Sequence, residues 1–242
     1  MKIISNRLGA DPGVCDAFAA AVEMIHSFSL IHDDLPCMDD DDMRRGKPAT
    51  HIQFGEATAL LAGDLLAIEA FNVIAGSGAP PEVCGRAVTA LASASGARGM
   101  IYGQELDLRN EKRTPTEAGL LETLSYKTGA LIRVSAALGV IGAGLEMEDE
   151  AEIEHYAQNI GLVFQIVDDL LDVTSTAETL GKPIGSDAEQ GKTTFVTMFG
   201  MTRSRQQVAD LTAEAIEELG DKYGERADFL CEYARRLADR VN

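Results

Sequence analysis

The chain has 242 residues, of which 45% are hydrophobic, and a formal net charge of −18. This length suits one large domain, and the apolar content is sufficient for a sizeable core. Basic patches that would bind nucleic acid are absent, and no run of about 18 apolar residues predicts a membrane span. The first residues lack a secretory signal, and the four cysteines match no zinc pattern. We therefore expect reduced cysteines and a cytoplasmic location.

Apolar residues recur at spacings of three and four along most of the chain, whereas the alternation typical of strands is scarce. This periodicity predicts helices over 14–35, 56–75, 82–110, 117–143 and 148–173. Glycines and prolines predict a turn over 76–81, a break over 112–115 and a loop over 174–194. Two or more helices are predicted over 195–239. The sequence therefore predicts a single all-α domain that covers residues 1–242.

The first long helix ends in a cluster of aspartates, Asp33, Asp34 and Asp39–Asp42. Carboxylates at a helix C-terminus face the negative end of the helix dipole and repel one another, so they require a counter-charge. Mg²⁺ is usually held by one or two carboxylates together with substrate phosphates and water. A solvated acidic loop is the alternative for this cluster taken alone, whereas the residue order of an EF-hand is absent.

A second acidic cluster, formed by Asp168, Asp169 and Asp172, interrupts the apolar stretch 160–173. Asp168 and Asp172 are four residues apart and share one face of a helix, where like charges are unfavourable. A surface helix edge is the alternative for this cluster alone. Two such clusters that both adjoin apolar helices favour a site for divalent cations.

Cationic residues accompany the acidic clusters. Arg44 and Arg45 directly follow the first cluster and point in different directions, so they can bind two different anions. Lys127 and Thr128 lie on a predicted helix, whereas Lys182 and Lys192 lie in the glycine-rich loop over 174–194. This loop does not match a P-loop, and a solvated surface position is the alternative for any single lysine.

In this order and spacing, the motifs resemble those of the bacterial short-chain trans-isoprenyl diphosphate synthases, the farnesyl and geranylgeranyl diphosphate synthase family. The matching motifs are Asp33-Asp34-x-x-x-x-Asp39, Arg44-Arg45-Gly46, Gly103-Gln104-x-x-Asp107, Lys127-Thr128 and Phe164-Gln165-x-x-Asp168-Asp169-x-x-Asp172. The resemblance implies the isoprenoid synthase fold, an orthogonal bundle of antiparallel helices around a central cavity. It also implies a homodimeric, geranyltranstransferase-type prenyltransferase that joins isopentenyl diphosphate to dimethylallyl or geranyl diphosphate.

The resemblance assigns roles to individual residues. Three Mg²⁺ ions would be held by Asp33, Asp34, Asp39, Asp168, Asp169 and Asp172. The allylic diphosphate would be bound by Arg44, Lys127, Thr128, Gln165, Lys182 and Lys192. Arg45 would contact isopentenyl diphosphate. The catalytic set is Asp33, Asp34, Asp39, Arg44, Lys127 and Asp168.

The product length is predicted from residues just upstream of the first aspartates. The aromatic side chain of Phe28, next to Ser29, would stop elongation of the prenyl chain at farnesyl diphosphate. Geranylgeranyl diphosphate is the alternative product. The sequence lacks an N-terminal segment that the family uses to bind isopentenyl diphosphate, a Gly-Lys-x-x-Arg stretch with a downstream histidine. A catalytically impaired or non-catalytic partner subunit therefore stays open. A terpene cyclase is disfavoured because the second cluster carries three aspartates.

Overall fold

The computed structural model describes residues 1–111, 113–146, 151–174 and 193–241. Within these residues, α-helices account for most of the structure. They are α1 (Lys2–Arg7), α2 (Pro12–Asp33), α3 (Thr50–Phe54), α4 (Glu56–Ala75), α5 (Pro81–Ser95), α6 (Met100–Glu111), α7 (Glu117–Leu124), α8 (Ala130–Gly142), α9 (Ala151–Thr174), α10 (Phe195–Phe199), α11 (Met201–Tyr223) and α12 (Asp228–Ala238). A π-helix spans Ser125–Gly129, and 3₁₀ turns span Gly224–Ala227 and Asp239–Val241. The all-α prediction is confirmed.

Several predicted helices are divided in the structure. The predicted helix over 82–110 is two helices, because the backbone of Gly96 (φ −86°, ψ −147°) ends α5. The predicted helix over 117–143 contains the π-helix between α7 and α8. A two-stranded antiparallel hairpin, β1 (Met43–Arg44) and β2 (Lys47–Pro48), was not predicted. Most of the predicted loop over 174–194 lies outside the described residues.

Helix α2 carries the first acidic motif at its end, and local sequence signals set its start. The side chain of Asp11 caps the helix and accepts hydrogen bonds from the backbone N–H groups of Gly13 (2.9 Å) and Val14 (3.1 Å). Pro12 occupies the first turn, where its missing N–H costs nothing. The helix runs to Asp33 and thereby brings this carboxylate to one end of the bundle.

Helix α8 lies between two apolar clusters that form the core. Ala136 and Val140 join the cluster built mainly by α9, α11 and α12. Val134 and Leu138 join the cluster built by α2, α4 and α5. Because α8 contributes to both clusters, it connects the half of the chain that contains the first acidic motif to the half that contains the second.

By length and composition alone, helices α2 and α4 are each long and apolar enough to cross a membrane. Asp16 and Glu23 interrupt the apolar residues of α2, and Asp64 and Glu69 interrupt those of α4, so neither helix contains an uninterrupted run of about 18 apolar residues. Helix α2 packs against α4, α8 and α1, which is the environment of a core helix in a helical bundle. Helix α4 leaves several apolar side chains exposed on its outer face.

Candidate active site

The first acidic motif is tied to the hairpin by an ion pair. Asp34 is 1% exposed, and its carboxylate accepts a hydrogen bond from Arg44 Nε at 2.9 Å and another from Arg44 Nη2. Arg44 Nη2 also lies 3.2 Å from Asp41. Burial opposes the charge on Arg44, but the hydrogen bond and the charge of Asp34 outweigh it and raise the pKa of Arg44. Arg44 and Asp34 therefore hold the hairpin against the end of α2.

The hairpin turn presents Arg45 to α2. Arg45 (φ 53°) and Gly46 (φ 73°) both have positive φ, as in the type I′ turns that are common in two-residue β-hairpins. An arginine in this region costs about 1 kcal/mol relative to glycine. Arg45 Nη2 lies 3.1 Å from His26 Nε2 on α2. Because arginine only donates, His26 must accept at Nε2 and carry its proton on Nδ1.

The contact between Arg45 and His26 requires a neutral imidazole. Burial is the main cause that lowers the pKa of His26, opposed by Glu23 and reinforced by the charges of Arg45 and Arg44. The unfolded chain therefore takes up a proton near pH 6.5 that the folded protein binds only at lower pH. His26 lowers stability progressively as the pH falls below 6.5 and has no effect well above it.

We expect His26→Gln to reduce this loss of stability, because glutamine keeps an acceptor for Arg45 and does not titrate. Urea unfolding at pH 7.5 and at pH 5.5 checks this for both proteins. The wild type should lose more unfolding free energy between the two pH values than the variant does. Equal losses would contradict the assignment.

The π-helix brings Lys127 to the first acidic motif. Lys127 Nζ donates to Asp107 Oδ2 on α6 at 2.6 Å. Burial opposes its protonation, but the charges of Asp33, Asp107 and Asp39 outweigh this effect and raise the pKa of Lys127. Gln104, one turn before Asp107, donates to Asp33. Helix α6 thus contacts both Lys127 and the first motif.

The second acidic motif contacts the neighbouring residue of the same π-helix. Thr128 Oγ1 donates to Gln165 Oε1 at 2.9 Å, and Gln165 Nε2 donates to Asp169 Oδ1 at 2.9 Å. The backbone N–H of Phe195 donates to Asp169 Oδ2 at 2.7 Å. Asp172 is 3% exposed, and its Oδ1 has no hydrogen-bond partner among the described residues.

The π-helix therefore lies between the two acidic motifs, with Lys127 facing Asp33 and Asp39 and Thr128 bonded to Gln165. Such π-turns frequently occur at functional sites, because the extra residue changes the direction of the side chains. Lys182 and Lys192, which were predicted to bind diphosphate, lie outside the described residues.

Phe28 and Ser29 lie on α2 before the first motif. The ring of Phe28 packs edge-on against His32, with ring centroids 5.1 Å apart, and it borders the apolar cluster of α2, α4 and α5. The hydroxyl of Ser29 donates to the carbonyl oxygen of His26 at 2.8 Å. Both side chains are partly buried.

Sequence reasoning missed His26 and gave no role to Gln104 and Asp107. Gln104 and Asp107 are three residues apart on a helix, so they share a face, and this spacing was the available signal. His26 lies seven residues, or two helical turns, before Asp33, so it shares a face of α2 with the first motif. The contact of His26 with Arg45 depends on the unpredicted hairpin.

The fold and the site together define a class of all-α proteins in which two aspartate motifs converge on one turn that bears a lysine and a threonine. The polyprenyl synthetase family model matches residues 4–230, and the chain belongs to this family.

Individual relatives agree with this membership. The chain is similar to geranylgeranyl pyrophosphate synthase 3, chloroplastic, of Arabidopsis thaliana, with 46% identity over 222 residues. That alignment covers 89% of this chain but 62% of the plant protein, so the chain spans less than two thirds of its length. Farnesyl diphosphate synthase of Escherichia coli (strain K12) is also 46% identical, over 221 residues that cover 88% of this chain and 73% of that one.

A solved structure supports the predicted architecture. The Helicobacter pylori geranyltransferase complexed with magnesium and isoprenyl diphosphate aligns with a TM-score of 0.83 and 27% identity. The match covers 100% of this chain and 84% of that one. The predicted isoprenoid synthase fold is confirmed.

Proposed function

We propose that this chain is a trans-prenyltransferase that joins isopentenyl diphosphate to an allylic diphosphate. One observation supports this most strongly. The π-helix places a lysine beside the carboxylates of one acidic motif and a threonine that donates to Gln165, which itself donates to Asp169 of the other motif. A group that binds there meets two sets of carboxylates and a cation, which suits a diphosphate accompanied by divalent cations. Relatives named as farnesyl and geranylgeranyl diphosphate synthases agree with this proposal.

The donor atoms at the site suit magnesium. Carboxylate oxygens are preferred ligands of Mg²⁺, and the buried Asp172 Oδ1 has no hydrogen-bond partner among the described residues. We propose that three Mg²⁺ ions are held by five aspartates of the two motifs, Asp33, Asp34, Asp39, Asp168 and Asp172. The resemblance also assigned Asp169 to this set, but both of its oxygens accept hydrogen bonds from Gln165 and Phe195. When bound, these ions stabilise negative charge on a departing diphosphate.

The cationic side chains bind and orient the two diphosphates. Arg44, Lys127, Thr128, Gln165, Lys182 and Lys192 are the proposed contacts to the allylic diphosphate. Arg45, held by His26, is the proposed contact to isopentenyl diphosphate. The raised pKa of Lys127 keeps its ammonium charged, so it can stabilise an anion throughout the reaction.

Turnover tests the function directly. We expect labelled isopentenyl diphosphate to be incorporated into a longer prenyl diphosphate when dimethylallyl or geranyl diphosphate and Mg²⁺ are supplied, and EDTA should abolish incorporation. Mg²⁺-dependent diphosphate binding without turnover would instead indicate a non-catalytic partner subunit. Hydrocarbon formed from a prenyl diphosphate alone would indicate a terpene cyclase.

We propose farnesyl diphosphate as the main product, with Phe28 and Ser29 limiting the length of the chain. Phe28→Ala should remove an aromatic ring from the apolar cluster beside the first motif and shift the products toward geranylgeranyl diphosphate. Chromatography of dephosphorylated products measures this change. Ala17→Gly, a small change at a partly buried residue of the same helix, serves as the control. An unchanged product length in Phe28→Ala would show that this ring does not limit elongation.

We propose that the chain forms a homodimer through the outer face of α4. Leu61, Leu65 and Ile68 are spaced by four and three residues, so they form one stripe, and each is between 58% and 66% exposed. A stripe of this kind on one helix can pack against its own copy across a two-fold axis. This contact would also account for the apolar composition of α4.

Leu61→Glu combined with Leu65→Glu should convert the dimer to a monomer, because each interface would then bury four unpaired carboxylates. Sedimentation equilibrium measures the mass. The matched control is Phe229→Glu on α12, where the phenylalanine is 51% exposed, and this variant should remain a dimer. A dimeric double variant would exclude this face as the interface.

A further inference from the structure

We propose that Asp169 is a positioning residue, which fixes Gln165 and Thr128 through a directed chain of hydrogen bonds that begins at the backbone N–H of Phe195. This inference rests on the proposed function, because Gln165 and Thr128 are proposed contacts to a diphosphate. It gives Asp169 a role different from that of its neighbours Asp168 and Asp172.

The environment of Asp169 supports this role. Asp169 is 3% exposed, and its two oxygens accept from two different elements. Oδ1 accepts from Gln165 on α9, and Oδ2 accepts from the first residue of α10. A buried carboxylate is costly unless it receives such donors, and both bonds are charge-assisted. Asp169 therefore joins the start of α10 to α9.

The carboxylate also determines the direction of every bond in the chain. Since an ionised carboxylate only accepts, the amide nitrogen of Gln165 must face Asp169. The amide oxygen of Gln165 then faces Thr128, whose hydroxyl must donate to it. The charge on Asp169 thus orients a hydroxyl that it does not contact.

This direction has a consequence for anion binding. Thr128 has one proton, and it is donated to Gln165. Gln165 Nε2 carries a second hydrogen in addition to the one donated to Asp169. Within the chain of bonds, Gln165 therefore has a donor available for a diphosphate, whereas Thr128 can donate to a diphosphate only when its proton leaves Gln165.

Asp169→Asn tests the chain with little change in shape. The backbone N–H of Phe195 still needs an acceptor, so the new amide nitrogen faces Gln165 and forces the Gln165 amide to turn over. The amide nitrogen of Gln165 then faces Thr128, so its second hydrogen leaves the position from which it can donate to a diphosphate. We therefore expect the affinity for inorganic pyrophosphate in saturating Mg²⁺ to fall about tenfold, which corresponds to about 1.4 kcal/mol. The Mg²⁺ concentration for half-maximal binding should stay within about twofold of the wild-type value, since the variant removes no ion ligand.

Asp168→Asn is the matched comparison, because Asp168 is the neighbouring carboxylate and a proposed Mg²⁺ ligand. It should raise the half-saturating Mg²⁺ concentration by about tenfold or more. If the defect of Asp169→Asn is instead corrected by additional Mg²⁺, Asp169 acts as a ligand and the proposal fails.

A second measurement needs neither metal nor substrate. In EDTA, the decreases in Tm caused by Asp169→Asn and Thr128→Val should not be additive. The decrease in the double variant should be smaller than the sum of the two single decreases by about 2 °C. Additive decreases would overturn the chain of bonds. Should Asp169→Asn not fold, Gln165→Met replaces it in the same comparison. Wild-type protein without turnover would refute the proposed function but would leave this measurement valid.

Discussion

Gly103→Ala is expected to lower kcat/KM by about 100-fold, because it displaces the π-helix that carries Lys127 and Thr128. A Cβ atom at Gly103 would lie 2.5 Å from Lys127 Cα and 2.6 Å from the carbonyl carbon of Tyr126. Both neighbours are backbone atoms of another element, so a side-chain rotation cannot relieve the overlap. Overpacking of this kind also costs about 1–3 kcal/mol of stability.

Gly85→Ala is the matched control for this prediction. Gly85 is exposed on α5, and nothing lies within 4 Å of a Cβ atom placed there. The exchange should leave activity unchanged and stabilise the helix by about 0.5–1 kcal/mol. Steady-state kinetics and urea unfolding of the two variants give the comparison. If Gly103→Ala retained full activity, the close approach of α6 and the π-helix would not control the site.

Asp34→Ala is expected to destabilise the protein by about 3 kcal/mol, because it leaves the partly buried guanidinium of Arg44 without its main partner. The hairpin that presents Arg45 would then lose its attachment to α2. We expect kcat/KM to fall about 100-fold as Arg45 is displaced. Urea unfolding and steady-state kinetics measure the two effects.

Asp41→Ala is the control, because Asp41 contacts the same Arg44 at 3.2 Å but its side chain is 44% exposed. Its loss should cost less than about 1 kcal/mol. An assay in excess Mg²⁺ distinguishes the ion pair of Asp34 with Arg44 from its proposed role as a Mg²⁺ ligand. Activity of Asp34→Ala that returns with added Mg²⁺ would show a ligand role, whereas the ion pair with Arg44 predicts no recovery.

The helices could be predicted from the sequence because their signals are local. The spacing of the apolar residues predicted a helix over 56–75, and α4 spans Glu56–Ala75. The first motif was placed at the end of its helix, and α2 ends at Asp33. The hairpin was missed because its strands have two residues each and its turn places an arginine where asparagine or glycine is usual.

The bonds within the site could not be predicted, because they join residues that are distant in the chain. Gln104 contacts Asp33 across 71 positions, and Thr128 contacts Gln165 across 37. Neither pair has a local signal such as a helical spacing. The π-helix between α7 and α8 could not be predicted either, because its number of residues per turn differs from that of an α-helix by less than one residue.

The helical class, the two acidic motifs and the cationic residues that accompany them could be recognised from the chain alone, because periodicity and charge are properties of neighbouring residues. The packing of the helices was needed to show that Asp33 and Gln165 approach the same π-helix, that Arg44 is tied to Asp34, and that Asp169 reaches Phe195. These contacts depend on how α2, α6, α8 and α9 pack, and packing is set by the burial of apolar surface from the whole chain.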